Sequence, residues 1–163
     1  MAGQTTIKLY LKKRGNQREK RLSLFHMKNI AAVLIGLIAS VFVIALVQQL
    51  GNMLFPCDLP RPEKRADWPE FMQHLPFMAK LLVVISYGLA GFTAGTIATF
   101  IQGRTNNFTP TFVICGTLQL FTWMSMISIP HPFWMWIGGT ITIIPCGYWA
   151  FWKFKTKKNE PIL

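Results

Sequence analysis

Charged residues are scarce in this sequence, and acidic residues are the scarcest of them. Of the 163 residues, 14% are Asp, Glu, Lys or Arg, and only 6 are Asp or Glu. A soluble domain usually carries about 25% charged residues, which help to cover its apolar interior. With 52% hydrophobic residues, this chain has too little polar surface for that arrangement. The composition disfavours a soluble enzyme and a disordered chain, and it favours an integral membrane protein.

Cysteine is rare as well, and the usual catalytic motifs are missing. The three cysteines are Cys57, Cys115 and Cys146, and no two of them form a C-x-x-C pair. An odd number at these separations gives neither a disulfide framework nor a close redox pair. The sequence also has no G-x-S-x-G, H-E-x-x-H, P-loop or G-x-G-x-x-G motif. We therefore expect no catalytic centre, no cofactor and no metal site, which favours a protein that is not an enzyme.

The sequence contains instead four long apolar runs that hold no acidic residue. Each has about 20 residues, or roughly 30 Å as a helix, which matches the hydrocarbon core of a bilayer. A chain in lipid must satisfy its own backbone hydrogen bonds, so helices are favoured. We predict an all-α membrane protein with four transmembrane helices in a compact bundle. The predicted spans are 30–50, 77–101, 110–129 and 133–152, within a membrane domain of residues 29–152.

Basic residues at the two ends of the chain predict its orientation. The net charge is +11, and Lys or Arg occurs eight times in residues 1–28 and four times in residues 153–163. Basic segments beside membrane spans usually stay in the cytoplasm, where they face anionic lipid rather than nucleic acid. We predict both termini in the cytoplasm, the loop 51–76 outside, and a bacterial cytoplasmic membrane as the location.

Residues 1–28 show no sustained apolar period and are rich in charge. Such a composition is typical of a disordered tail, so the sequence predicts a basic cytoplasmic tail without fixed structure. Met27 and Lys28 stand directly before the first apolar run and resemble the start of an ordinary membrane protein. We therefore expect residues 1–26 to have no structural role.

Small residues recur every fourth position in the second span. Gly91 and Gly95 form a G-x-x-x-G pattern, and a stripe of Ser and Ala runs beside it. Small residues at this spacing allow two helix backbones to approach closely in a membrane. The first span carries Gly36 and Ser40, so we predict that it is the helix that packs against these glycines. A dimer face is the alternative.

Six polar residues at the ends or in the middle of the spans are candidates for a binding site. Gln48, Gln49 and Asn52 close the first span and are expected at the same end as His74 and His131. Gln119 lies near the middle of the third span, where it would bind a solute or hydrogen-bond a neighbouring helix. These six candidates are Gln48, Gln49, Asn52, His74, Gln119 and His131.

From Met27 to Trp152 the chain resembles a group of small bacterial four-span membrane proteins without an established activity. The resemblance rests on the Met-Lys start, on Leu54-Phe55-Pro56, on the Gly-rich second span and on the turn from Ile129 to Trp134. Such proteins often carry a Glu near the end of the first span and a His shortly after it. Here Gln48 or Gln49 and Asn52 stand at those positions. The resemblance implies the four-span fold and supplies no activity.

Three classes of function stay open at this point. The first is a non-enzymatic accessory or assembly subunit that contacts a partner membrane protein or a second copy of itself. The second is a small oligomeric transporter or channel, and the third is a membrane enzyme. Coupled transporters usually place an ionisable group near the middle of a span, and the four predicted spans hold no Asp or Glu. This favours the first class.

Overall fold

The computed structural model describes residues 2–57, 59, 62–104, 106–129 and 131–155. Within these residues the chain is all-helical, as predicted. Three helices are long and apolar enough to cross a membrane, namely Asn16–Leu54, Phe77–Ile101 and Thr109–Ser128. The helices are α1 (Ala2–Leu54), α2 (Trp68–His74), α3 (Phe77–Ile101), α4 (Thr109–Ser128) and α5 (Phe133–Phe154), with a short 3₁₀ turn at Arg65–Asp67.

Helix α1 is far longer than the predicted first span. It has 53 residues, which makes it about 80 Å long. The sequence predicts a tail without fixed structure for residues 1–28, whereas in the structure residues 2–28 continue helix α1. These residues contain no proline and many Lys, Arg, Gln and Leu, which lose little side-chain freedom in a helix. A helix that has already formed grows at little cost, because each added residue brings one hydrogen bond.

The four long helices pack side by side, with α3 between α1 and α5. Helix α1 runs antiparallel to α3, because Gly51 lies beside Leu82 and Ser40 lies beside Ala90. Helix α5 runs parallel to α3, and α4 returns between them in the opposite direction. We call the end where α1 finishes and α3 and α5 begin the loop end, and the opposite end the tail end.

At the tail end of the bundle, local hydrogen bonds end helix α3 and link it to α1. The amides of Gly103 and Arg104 donate to carbonyls in the last turn of α3, at 3.0 and 2.8 Å. This is the Schellman arrangement, and it requires the positive φ of +74° that Gly103 adopts. The buried Gln102 side chain donates to the Asn29 amide oxygen at 3.4 Å, which links α3 to α1.

Helix α2 lies over the loop end. Asp67 is the N-cap residue and a proline follows in the first turn, as the sequence Asp-Trp-Pro-Glu indicates, although the Asp67 carboxylate makes no capping hydrogen bond. Met72 is buried and packs with Val84 of α3 and Met135 of α5. This contact fixes α2 across the ends of two long helices, so that it forms one wall of the site described below.

Candidate functional site

The glycines of α3 contact α5, not α1. A β-carbon added to Gly91 would meet the Ile143 carbonyl group, with the carbonyl carbon at 2.9 Å. A β-carbon added to Gly95 would lie 3.0 Å from the Gly147 carbonyl carbon and 2.9 Å from Ala150 Cβ. Both glycines therefore face another helix of the same chain, but the predicted partner is wrong. Helix α5 presents its own glycine at the crossing, and two backbones touch where both helices lack a side chain.

Helix α1 uses the neighbouring stripe of alanines on α3. The Ser40 hydroxyl donates to the Ala90 carbonyl oxygen at 3.0 Å and is fully buried. A β-carbon on Gly36 would lie 3.9 Å from the Ala94 carbonyl oxygen and 2.6 Å from the Ile114 side chain of α4. Gly36 and Ser40 thus allow close packing, as predicted for the first span, but against a different face of α3.

Gln119 ties two helices together. It is buried, and its amide is best oriented with the nitrogen donating to the Thr140 carbonyl oxygen at 3.1 Å. Its oxygen then accepts from the Trp123 indole nitrogen at 3.0 Å. Both hydrogen-bonding ends of the amide are used within the protein, so Gln119 acts in helix packing between α4 and α5.

A cleft of about 410 Å³ opens at the loop end of the bundle. Its walls come from the end of α1, from α2, from the first half of α3, from the end of α4 and from the turn before α5. Four of the six polar candidates line it. They are Gln48, Gln49, Asn52 and His131. The prediction that these residues share one end of the bundle therefore agrees with the structure.

The other predicted histidine lies elsewhere. His74 is exposed on α2, and its Nδ1 is 2.9 Å from the Glu70 carbonyl oxygen one turn earlier. It is not among the residues that line the cleft. His131, by contrast, donates from Nδ1 to the Ile129 carbonyl oxygen at 2.6 Å, because a carbonyl can only accept. In the neutral ring, Nε2 is then an acceptor.

Tyr87 is the residue at this site that the sequence does not reveal. Its side chain is only 5% exposed, and its ring faces Gly139 of α5. The Tyr87 hydroxyl has no hydrogen-bond partner among the described residues. Every fully enclosed side-chain polar atom of the described residues does have a partner, so this hydroxyl is not fully enclosed. The Tyr87 hydroxyl therefore reaches the space of the cleft. In the sequence, Tyr87 lies in an otherwise apolar run. A tyrosine hydroxyl in such a run usually needs a hydrogen-bond partner, and this is the signal that could have indicated a polar site.

The cleft carries no formal charge on its described lining residues. They include Trp68, Phe71 and Met72 of α2 and the half-buried thiol of Cys57, but no Asp, Glu, Lys or Arg. Charged side chains of the loop line a neighbouring, more open depression, which shares Leu59 and Phe71 with the cleft and contains Glu63, Lys64, Asp67 and Glu70. No group of three or more His, Cys, Asp or Glu in the described part of the chain is placed to hold a metal ion. The described lining of the cleft thus combines amide, hydroxyl and imidazole groups with apolar walls.

Comparisons of this chain with protein-family models, with curated proteins and with solved structures found no match. The class of protein is defined by the composition and the fold. It is an all-helical protein with three helices that are long and apolar enough to cross a membrane. A fourth long helix lies against them, and a cleft with no charged side chain among its described lining residues opens at one end of the bundle.

Proposed function

We propose that the chain is a four-span protein of a bacterial cytoplasmic membrane. The fourth span is α5, which has 22 residues and is about 33 Å long. It follows α3 over three turns, from Gly138 beside Val84 to Gly147 beside Gly95. A helix that touches the backbone of a spanning helix over this length lies at the same depth in the bilayer. Trp, Tyr and Pro145 lower the hydropathy of α5, but aromatic residues are common where a span meets the interface.

The proposed orientation has both termini in the cytoplasm and the loop end outside. Basic residues support it, because the long N-terminal part of α1 and the C-terminal segment are rich in Lys and Arg. At the tail end, the Lys153 ammonium lies 5.3 Å from the centre of the Trp149 ring, and the Arg104 guanidinium lies 4.9 Å from the centre of the Phe100 ring. Cations beside aromatic rings at one end of a bundle are typical of a membrane interface.

Within the membrane, the proposed role is that of a non-catalytic accessory or assembly subunit. The observation that carries it is the backbone contact of α3 with α5 and the close approach of α1 on the other side. At Gly91 and Gly95 the separation does not admit a methyl group. A core packed in this way favours a rigid scaffold over a single chain that conducts ions. The large apolar side chains exposed on α1 and α4, such as Ile38 and Leu120, then face lipid or a partner membrane protein.

A small oligomeric transporter is the second candidate, and the cleft favours it. Tyr87 is close to the middle of α3, so the cleft extends well into the bundle from the loop end. A site open to one side and closed at the other is what an outward-facing transporter presents. In this case the closed tail end would have to open in another state.

Purification in a mild detergent distinguishes the two candidates. An accessory subunit should return a membrane protein partner at a fixed ratio, and the same complex should return when that partner carries the tag. Light scattering gives the mass of the complex, and native mass spectrometry gives its composition. A pure homo-oligomer in both the mild detergent and in nanodiscs would contradict the accessory role and support the transporter.

A further inference from the structure

We infer that the loop-end cleft binds a neutral amphiphile, namely a molecule with an uncharged, oxygen-bearing head and a hydrocarbon tail. This inference depends on the membrane bundle but not on the accessory role, and it goes beyond that role because it assigns a ligand. Its basis is the combination, in one cleft, of depth, polar groups without a partner among the described residues, and described lining residues that carry no formal charge.

The depth of the cleft places part of it in the hydrocarbon layer. Tyr87 is the eleventh residue of α3, so it lies about 15 Å along the helix from Phe77. That distance is half of a hydrocarbon core of about 30 Å. The upper part of the cleft is bordered by Asn52 and by Trp68, which belong to segments next to the loop. Because helical side chains point toward the N-terminus, the Tyr87 hydroxyl lies nearer the loop end than its own backbone does. The site therefore extends from the interface into the hydrocarbon layer, as an amphiphile does.

The bottom of the cleft offers a hydrogen bond that the protein does not use. The Tyr87 side chain is 95% buried, since 5% of it is exposed, and its hydroxyl has no partner within the described residues. Gln48 lines the same cleft and likewise has no side-chain hydrogen bond to the described part of the chain. Neither polar group is fully enclosed, so both keep access to the space of the cleft, where a bound ligand can reach them. Acceptor oxygens on a bound head group would take a hydrogen bond from the Tyr87 hydroxyl and another from the Gln48 amide nitrogen.

The uncharged lining selects the kind of head. A phosphate or carboxylate head would find no Lys or Arg among the described lining residues, and an ammonium head would find no Asp or Glu. A carbonyl or hydroxyl oxygen can accept from the tyrosine hydroxyl and the amides, and a hydroxyl can also donate to Nε2 of His131. The apolar side chains of Met72, Val83 and Ile129 provide contacts for a tail. The volume of about 410 Å³ is within the range of about 300–1,000 Å³ that small-molecule sites occupy.

Two membrane molecules share this chemistry, a quinone and a diacylglycerol. Both join neutral oxygens to a hydrocarbon chain, and they differ in the ring and in the hydroxyl. The experiment uses the protein in nanodiscs of phosphatidylcholine, with a photoreactive diazirine analogue of dioctanoylglycerol and one of decylubiquinone. Mass spectrometry locates the residues that are labelled, and the unmodified compounds compete for the label. Dioctanoyl phosphatidic acid is the charged competitor of the same chain length.

We expect label on the segments around Gln48 and Tyr87, and competition by a neutral compound but not by the phosphatidic acid. Tyr87→Phe removes only the hydroxyl and should weaken apparent affinity about 5-fold, the usual effect of one neutral hydrogen bond. Tyr148→Phe is the matched control, because Tyr148 is exposed near the tail end, and it should not change the affinity. Whichever neutral compound competes better identifies the source of the ligand.

Three outcomes would overturn the inference. They are the absence of label in the cleft with both probes, equal affinity of Tyr87→Phe and the unchanged protein, and competition by phosphatidic acid as strong as that by the neutral compounds. The melting temperature of Tyr87→Phe shows whether it folds. If it does not, Gln48→Leu supplies the second variant, and it should also weaken labelling. If a partner protein is found on purification but the cleft carries no label, the accessory role would be supported and only the ligand proposal would be contradicted.

Discussion

The two halves of the bundle differ because α3 changes composition at its middle. From Gly88 to Ala98 it is built mainly of Gly, Ala and Thr, and there α1 and α5 approach its backbone. From Leu81 to Tyr87 it carries large side chains except at Ser86, and there the cleft opens. Small residues bring helices together in a membrane, whereas large residues hold their axes apart. One helix thus makes a closed tail-end half and an open loop-end half.

The two halves of the bundle also differ in whether their polar side chains have hydrogen-bond partners. In the tail-end half, polar side chains such as Ser40 and Thr99 are buried and donate to backbone carbonyls. In the loop-end half, the Tyr87 hydroxyl and the Gln48 amide have no such partner within the described residues. Buried polar groups with partners hold one packing, and groups without partners are free to bind something else. A ligand site at the loop end and a scaffold at the tail end follow from the same sequence change.

The largest difference is expected in how fast two cysteines react with a thiol reagent. Cys57 is half-buried at the cleft, whereas Cys115 is fully buried between helices. In the proposed orientation Cys57 is outside, so an impermeant maleimide should label it in intact cells. Cys115 should react only after denaturation, because a thiol without solvent contact cannot meet the reagent.

Single-cysteine variants make this measurement clean. Each retains one of Cys57, Cys115 and Cys146, and mass spectrometry counts the labelled fraction. Label on Cys57 only after the membrane is broken would reverse the proposed orientation. Rapid labelling of Cys115 in the folded protein would contradict the closed packing around it.

The next effect is on stability in the tail-end half. Gly95→Leu places a side chain against the Gly147 carbonyl and Ala150, and backbone cannot move aside as a flexible side chain can. We expect a loss of about 3 kcal/mol in the free energy of unfolding, the upper part of the usual range for overpacking. Unfolding in a detergent mixture with increasing dodecyl sulfate measures it.

Gly116→Leu in α4 is the matched control for this variant. A β-carbon at Gly116 meets nothing within 4 Å, so the same substitution should be neutral or slightly stabilising. Equal stability of Gly95→Leu and the unchanged protein would contradict the contact between α3 and α5. If Gly95→Leu instead abolished a dimer without a change in stability, the glycines would form an oligomer face.

Much of the fold could be predicted from the sequence, because long apolar runs determine where helices lie. The predicted range 77–101 coincides with α3, and the predicted start of the fourth span at residue 133 coincides with that of α5. The helical part of α1 before residue 29 could not be found in this way. Its side chains from residues 16–20 and 22–28 are exposed, so no apolar period marks it. Its helix depends on propensity and on growth from the membrane segment.

The packing partners and the cleft were harder to predict. A stripe of small residues shows that a backbone comes close, but it does not show which helix provides it. Gly147 in the fourth span was the missing signal, because it lets α5 approach Gly95. The amides at the end of the first span were predicted at one end of the bundle, and three of them line the cleft. Tyr87 was missed because an apolar pattern hides a hydroxyl that lies at the end of a buried ring.

A smaller effect is expected where α1 meets α3. Ser40→Ala removes the hydrogen bond to the Ala90 carbonyl oxygen but keeps the close approach, since alanine is also small. Such bonds in membrane bundles average about 0.6 kcal/mol, and we expect a loss of that size in the same unfolding measurement. Ser23→Ala is the control, because the Ser23 hydroxyl bonds within the exposed part of α1. A loss as large as that of Gly95→Leu would show that Ser40 does more than pack, and that the two faces of α3 are equally constrained.

The smallest effect is expected from removing residues 1–26. This part of α1 extends beyond the bundle, and its described side chains from residues 16–20 and 22–26 are exposed. The hydrogen bond of His26 returns to the Leu22 carbonyl in the same helix and contributes nothing to the membrane domain. A chain that begins at Met27 should therefore reach the membrane in the same amount and unfold within about 0.5 kcal/mol of the full chain, the usual limit for surface changes. Membrane fractionation and the dodecyl sulfate titration test both points. Loss of the shortened chain from the membrane would mean that the basic helix is needed for insertion, since the described side chains of residues 16–20 and 22–26 are exposed rather than packed against the bundle.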